Sequence, residues 1–267
     1  MTTRTIPKEF FWRRLHSLLG LWLVLFLIEH LLTNSQAALF IGDDGIGFIR
    51  MVNLIHSLPY LPLIELGLLL VPFLIHGLWG LKYARESKIN SYSSDGSKPS
   101  IKSGRNRAFT WQRITSWILA FMVIFHVVSM RFLKYPEEGG SGVDRTYSVQ
   151  VSEDPGLKSL AGRLNVDLLS GNKAGEVIAV APDFGTATLL VVRDTFKNPL
   201  LIILYTLFVL SAAFHAGNGV WTAWITWGFN VSKKAQERFL KATWMLTALL
   251  SFCGLAAVWL TYYNLSA

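Results

Sequence analysis

Four histidines, His30, His76, His126 and His215, each lie inside a long apolar stretch of this 267-residue chain. An ionisable side chain in such a stretch is costly, which makes a functional role the default reading. A neutral imidazole offers two chemistries there: it ligates a metal, or it passes protons. Which one applies depends on how the surrounding elements set the four rings against one another.

The stretches that carry them read as membrane spans. About twenty apolar residues suffice to cross a bilayer as a helix, and Leu61–Leu81, LPLIELGLLLVPFLIHGLWGL, is the clearest case. Phe10 to about Leu32 forms span I, and Leu61–Leu81 span II. Span III runs from about Phe109 to Phe132, span IV from Pro199 to Trp227, and span V from Ala242 to Tyr262. Residues 33–59 form a polar connection containing Asp43 and Asp44. Residues 82–108 form a hydrophilic loop, and Ser232–Lys241 a short basic one. In 133–197, TYSVQV (146–151), EVIAV (176–180) and TATLLVV (186–192) have strand character. The last two flank PDFG, which predicts a small hairpin in a compact cap. The expected fold class is therefore all-α membrane protein, five transmembrane helices with one small insertion, and no internal repeat is evident.

Lys and Arg in the loops set the orientation. Arg4, Lys8, Arg13 and Arg14 precede span I. Lys82, Arg85, Lys88, Lys98, Lys102, Arg105 and Arg107 fill the second loop, and Lys233, Lys234, Arg238 and Lys241 the last. These three regions share one side of a five-span chain, so that side is cytoplasmic. The opposite side has Arg50 in its first loop, and 133–197 is more acidic than basic. The N-terminus is expected inside and the C-terminus outside, which makes 133–197 extracytoplasmic.

With about 1.5 Å of rise per residue, position converts to depth. His30 and His126 both reach the outer half from the cytoplasmic side, whereas His76 and His215 both reach the inner half from the outside. Each depth holds two imidazoles from different helices, the arrangement that bis-histidine haem ligation requires. Small residues beside the ligands (Gly77, Gly80, Ala212, Ala213, Ala216, Gly217 and Gly219) leave room for a flat cofactor, and equally permit close helix contact. A zinc site would need three or four ligands at one depth. A proton relay would need acids along the path, where the spans offer little beyond Glu29 and Glu65. A packing role remains the alternative for any single histidine.

Composition bounds the rest. Hydrophobic residues make up 52% and charged residues 16%, which describes a membrane protein. The net charge of +8 sits in clusters beside the spans, so it reads as topology rather than nucleic-acid binding. The single cysteine, Cys253, excludes an internal disulfide and an iron–sulfur cluster ligated by this chain alone, so any cluster belongs to a partner. The first span is too long for the core of a cleavable signal.

FWRRLHSLLG (11–20), LIEHLLTN (27–34), IHSLPY (55–60), FLIHGLWG (73–80) and FHAGNGVWTAWITWG (214–228) resemble the dihaem cytochrome b anchor subunits of succinate dehydrogenases. The likeness is to the five-helix, single-anchor type that works with menaquinone in bacteria and is related to some fumarate reductases. It covers all five spans; the long outer segment and the extended 82–108 loop depart from it.

The resemblance implies two haems b. His76 and His215 would ligate the proximal iron, nearer the cytoplasm, and His30 and His126 the distal one. His16 and Ser17 match positions that contact proximal propionates. Arg13 and Arg14 could join them or serve as topology anchors. His56 is expected at a surface or interface. Glu65 sits at distal-haem depth, where it could move a proton in quinone chemistry or simply lie buried. It further implies flavoprotein and iron–sulfur partner subunits at the cytoplasmic face of a bacterial inner membrane, with electrons delivered to menaquinone. Run in reverse, the same wiring is quinol:fumarate reduction. A dihaem anchor of another quinone-linked dehydrogenase, and a histidine-bearing transporter, are the rival readings.

Overall fold

The computed structural model describes residues 7–39, 44–88, 90–91, 101, 103–171 and 173–266. Arg4, Asp43, Lys98 and Lys102 of the charge pattern lie outside them. Among the described residues, five helices are long and apolar enough to cross a membrane. They are α1 (Lys8–Leu39), α3 (Leu61–Glu86), α4 (Gly104–Leu133), α7 (Pro199–Thr226) and α8 (Lys233–Tyr263). A shorter helix, α2 (Ile46–His56), follows α1. The remaining elements, in chain order, are β1 (Glu137–Gly139), β2 (Thr146–Ser152), α5 (Leu157–Arg163), β3 (Asp167–Ser170), β4 (Glu176–Ala181) and α6 (Phe184–Thr195).

The helices outrun the apolar stretches. Helix α8 begins at Lys233, so most of the basic stretch expected as loop is helical. Lys, Gln, Glu and Arg are good helix formers. Hydropathy marks the part of a helix that meets lipid and says nothing of where its hydrogen bonding ends. Likewise the 33–59 connection contains α2 as well as the end of α1.

Three spanning helices change pitch. Glu65–Leu70, Val128–Leu133 and Ala256–Leu260 are π-helical. The first has a visible cause. In a regular α-helix the ring of Pro72 would press on the carbonyl of Leu68, which would also lose its N–H partner. Widening the turn ahead of the proline relieves the clash. The Leu68 carbonyl instead accepts the indole N–H of Trp22, at 2.6 Å.

The chain divides into two compact units. The first comprises the described residues up to Ile28 together with Pro62–Met122 and Leu210–Leu249. Here Gly217 allows close approach of α7 to α8, since a Cβ on it would overlap the Thr247 hydroxyl. The second unit comprises Glu29–Leu61, Val123–Val209 and the chain from Leu250 onward. It holds an antiparallel four-stranded sheet of order β1-β2-β4-β3. Alternate residues of β2 (Tyr147, Val149, Val151) and β4 (Val177, Ala179, Ala181) are buried under α6, as the two-residue period of a strand requires.

The expected hairpin around PDFG is corrected by this structure. TATLLVV forms helix, not strand, and β4 pairs with β2 and β3 instead. Asp183 is an N-cap: its carboxylate accepts the Thr186 N–H at 2.9 Å and the Thr186 hydroxyl at 2.8 Å. The apolar run is continuous because α6 is buried on two sides. Ala187, Leu190 and Val191 meet the sheet, and Leu189, Val192 and Phe196 meet α2 and the start of α7. A helix buried all round loses the 3.6-residue alternation that would have distinguished it.

Candidate imidazole sites

Each unit contains one pair of deep histidines from different helices. In the first, the rings of His76 (α3) and His215 (α7) have centroids 6.3 Å apart and planes at 82°. In the second, His30 (α1) and His126 (α4) are 5.8 Å apart, also at 82°. The pairs that depth assigned from sequence are the pairs brought together here. Among the described residues no group of three or more His, Cys, Asp or Glu is arranged to hold a metal ion.

The partners of the ring nitrogens decide which lone pairs are available. His76 Nδ1 lies 2.9 Å from the backbone carbonyl of His16. A carbonyl only accepts, so Nδ1 carries the proton and the neutral ring keeps its lone pair on Nε2. His215 Nδ1 lies 3.3 Å from the Thr115 hydroxyl. That hydroxyl already donates to the Trp111 and Gln112 carbonyls of its own helix, so it accepts from His215, and Nε2 is again the free lone pair. Gln112 fixes the same stretch of α7, donating to the His215 carbonyl and accepting from the Asn218 amide. In the second unit, His126 Nδ1 is 3.0 Å from the Tyr205 hydroxyl.

His16 lies flat against His76, centroids 4.1 Å apart and planes within 5°. Its Nδ1 and the Ser17 hydroxyl are buried without a hydrogen-bond partner. Two orphaned polar groups beside an imidazole pair cost about 1–3 kcal/mol each unless a ligand meets them. Gly20 makes the close packing possible, since a Cβ there would sit 2.7 Å from His76 Cε1.

The other expected site residues fall elsewhere. Arg13 is exposed. The Arg14 guanidinium lies 3.5 Å over the Phe10 ring and 5.8 Å from Trp227, two residues and therefore about 200° around α1 from His16. Glu65 is half-buried in the π-helical turn of α3. Glu29 accepts the Thr33 hydroxyl at 2.8 Å. His56 is half-buried at the interface between α2 and the inserted domain, stacked on Phe184 at 3.8 Å and 9°. Sequence reading missed Thr115, Tyr205 and Gly20. Each acts on a histidine of another helix, so no local spacing betrays it.

Comparison with known proteins agrees with the motifs. Over 254 residues the chain is 26% identical to the succinate dehydrogenase cytochrome b558 subunit of Bacillus subtilis (strain 168), covering 94% of this chain and 96% of that one. This chain is a homologue of that subunit. At 94% of the chain, the match is not confined to the spans. No family model matches the chain, and no solved structure matches it.

Proposed function

We propose that this chain is the cytochrome b membrane-anchor subunit of a succinate:quinone oxidoreductase, with one haem b at each histidine pair. The observation that carries the reading is the pair of ring separations. Two imidazoles on opposite sides of one metal, with bonds of about 2.0 Å and roughly 1.1 Å from nitrogen to ring centre, have centroids about 6.2 Å apart. His76 and His215 stand at 6.3 Å and His30 and His126 at 5.8 Å. Nε2 holds the lone pair in His76 and His215, and the orphaned His16 Nδ1 and Ser17 hydroxyl suit the propionates of a buried porphyrin. The residues fit the group.

Haem b bound at these sites supplies reversible one-electron chemistry. His76 and His215 hold the proximal group, and His30 and His126 the distal one. The His16 carbonyl and Thr115 hold the proximal rings in the ligating tautomer, and Tyr205 does the same for His126. Glu65, in its widened turn, is the candidate to exchange a proton with menaquinone. Arg13, exposed, and Arg14, stacked on Phe10, serve as topology anchors. The Lys- and Arg-rich loops face the cytoplasm and receive an iron–sulfur subunit and, through it, a flavoprotein that oxidises succinate. The 133–197 segment lies outside, in the orientation the loop charges give. The setting is a bacterial inner membrane.

The deciding measurement is haem stoichiometry with a reduced-minus-oxidised spectrum of the purified chain. Two haems per chain and a b-type α-band with two redox-resolved components are expected. A colourless subunit would point to a transporter. Co-purification of a hydrogenase or formate dehydrogenase, rather than succinate-oxidising subunits, would reassign the partner.

A further inference from the structure

Between α1 and the end of α7 runs an apolar groove of about 280 Å³, lined by Phe10, Phe11, Leu15, Leu18 and Trp227, with Arg14 over it. We propose that this groove, with the Arg14 guanidinium, is a selective site for one anionic phospholipid. The arginine makes no hydrogen bond and no ion pair among the described residues. It is nonetheless held, stacked 3.5 Å from the Phe10 ring centre with Trp227 at 5.8 Å. Stacking engages the faces of a guanidinium and leaves its in-plane N–H groups for an acceptor, which a phosphate meets in bidentate fashion.

The depth of the groove identifies the occupant. From Phe10 to Leu18 it follows about 12 Å of helix, most of one leaflet's half of the ~30 Å hydrocarbon layer. Leu18 is 52% exposed and lies about 15 Å into α1 from Lys8, below the reach of a soluble subunit. An acyl chain fills the lower groove and its phosphate meets Arg14 at the mouth. The site is independent of haem binding, and both partners of the groove belong to the same structural unit.

The test is native mass spectrometry of the intact complex, delipidated in detergent and then offered phosphatidylglycerol or phosphatidylcholine. Phosphatidylglycerol is expected to be retained about fivefold better, the advantage one interfacial cation confers, and Arg14→Gln to abolish that preference while haem content stays unchanged. Arg85→Gln, at the end of α3, should leave it intact. Should Arg14→Gln fail to assemble, Leu18→Trp fills the groove and should lower retention of both lipids with Arg14 in place. Equal retention of the two lipids by the wild type overturns the proposal, as does undiminished preference in Arg14→Gln or undiminished retention in Leu18→Trp.

Discussion

The Tyr205 hydroxyl lies 3.0 Å from Nδ1 of His126, reaching from α7 to a histidine carried by α4. With Nε2 on the metal, Nδ1–H donates to Tyr205, and that bond makes the imidazole a stronger donor to iron. Tyr205→Phe keeps the ring packing with Phe196 and Phe208 and removes the hydroxyl that meets His126 and the Ser129 side chain. One hydrogen bond is worth about 1 kcal/mol, so the midpoint potential of one haem component should rise by up to about 40 mV on the scale of 59 mV per tenfold for one electron. The other component should not move. A redox titration of the α-band reads both, and an unchanged pair of midpoints would remove Tyr205 from the site.

His76 and Gly20 make a graded test of the proximal centre. His76→Ala removes a proposed ligand and should eliminate the higher-potential component first; loss of only the lower-potential one would overturn the assignment of pairs. Gly20→Ala instead adds a methyl 2.7 Å from His76 Cε1. Because the obstacle is backbone-borne and the ring is pinned to the His16 carbonyl, the ring must tilt. The expected result is a shifted and broadened higher-potential component at unchanged or modestly lowered haem content.

The helices and both histidine pairs were legible in the sequence because lipid imposes a single rule along each span, apolar over about twenty residues, and because an intramembrane imidazole violates it conspicuously. The same rule fails in the 133–197 insertion. Leu189, Leu190, Val191 and Val192 are all buried between sheet and helices, so the run reads as a strand although Asp183 and Thr186 cap a helix there. Helix α2 was hidden for the opposite reason, as its buried face reduces to Phe48 and Ile49. The groups that orient His215 and His126, Thr115 and Tyr205, act across helices, and a single sequence carries no register between one span and another.

Arg193 and Asp154 tie the insertion to the chain's end and make it acid-sensitive. Their side chains are 9% and 7% exposed and paired at 2.5 Å, and Arg193 also donates to the Asn264 and Leu265 carbonyls. Burial alone would raise the Asp154 carboxyl, but hydrogen bonds and charge from Arg193 and Lys197 outweigh it and hold the group below its usual 3.8. Asp194 is lowered similarly: burial opposes, and the Ser152 N–H, Lys134 and Lys197 prevail. A folded carboxyl that binds its proton more weakly than the unfolded one stabilises fully above the unfolded value and loses that contribution as pH falls through the folded one. Thermal unfolding of the intact subunit, followed by near-ultraviolet dichroism, should therefore show a transition that is flat from neutrality to about pH 5 and falls below about pH 4. Asp154→Asn should make the acid fall shallower while lowering stability at neutral pH by about 3–5 kcal/mol, because Arg193 is left buried without its partner.

Trp22 and Pro72 are coupled through an atom that belongs to neither. Pro72 has no N–H for the Leu68 carbonyl, and Trp22 Nε1 supplies one at 2.6 Å. In hydrocarbon no water can take its place. Trp22→Phe alone should therefore destabilise the subunit by about 1 kcal/mol beyond the loss of packing area, the net worth of one such bond. In a Pro72→Ala background the helix can supply its own donor, so the same Trp22→Phe change should cost only the packing term. Four variants of a double-mutant cycle, compared by thermal unfolding in detergent, measure the difference. A coupling near zero would mean that Leu68 is satisfied by the helix despite the proline and that the π-helical turn has another cause.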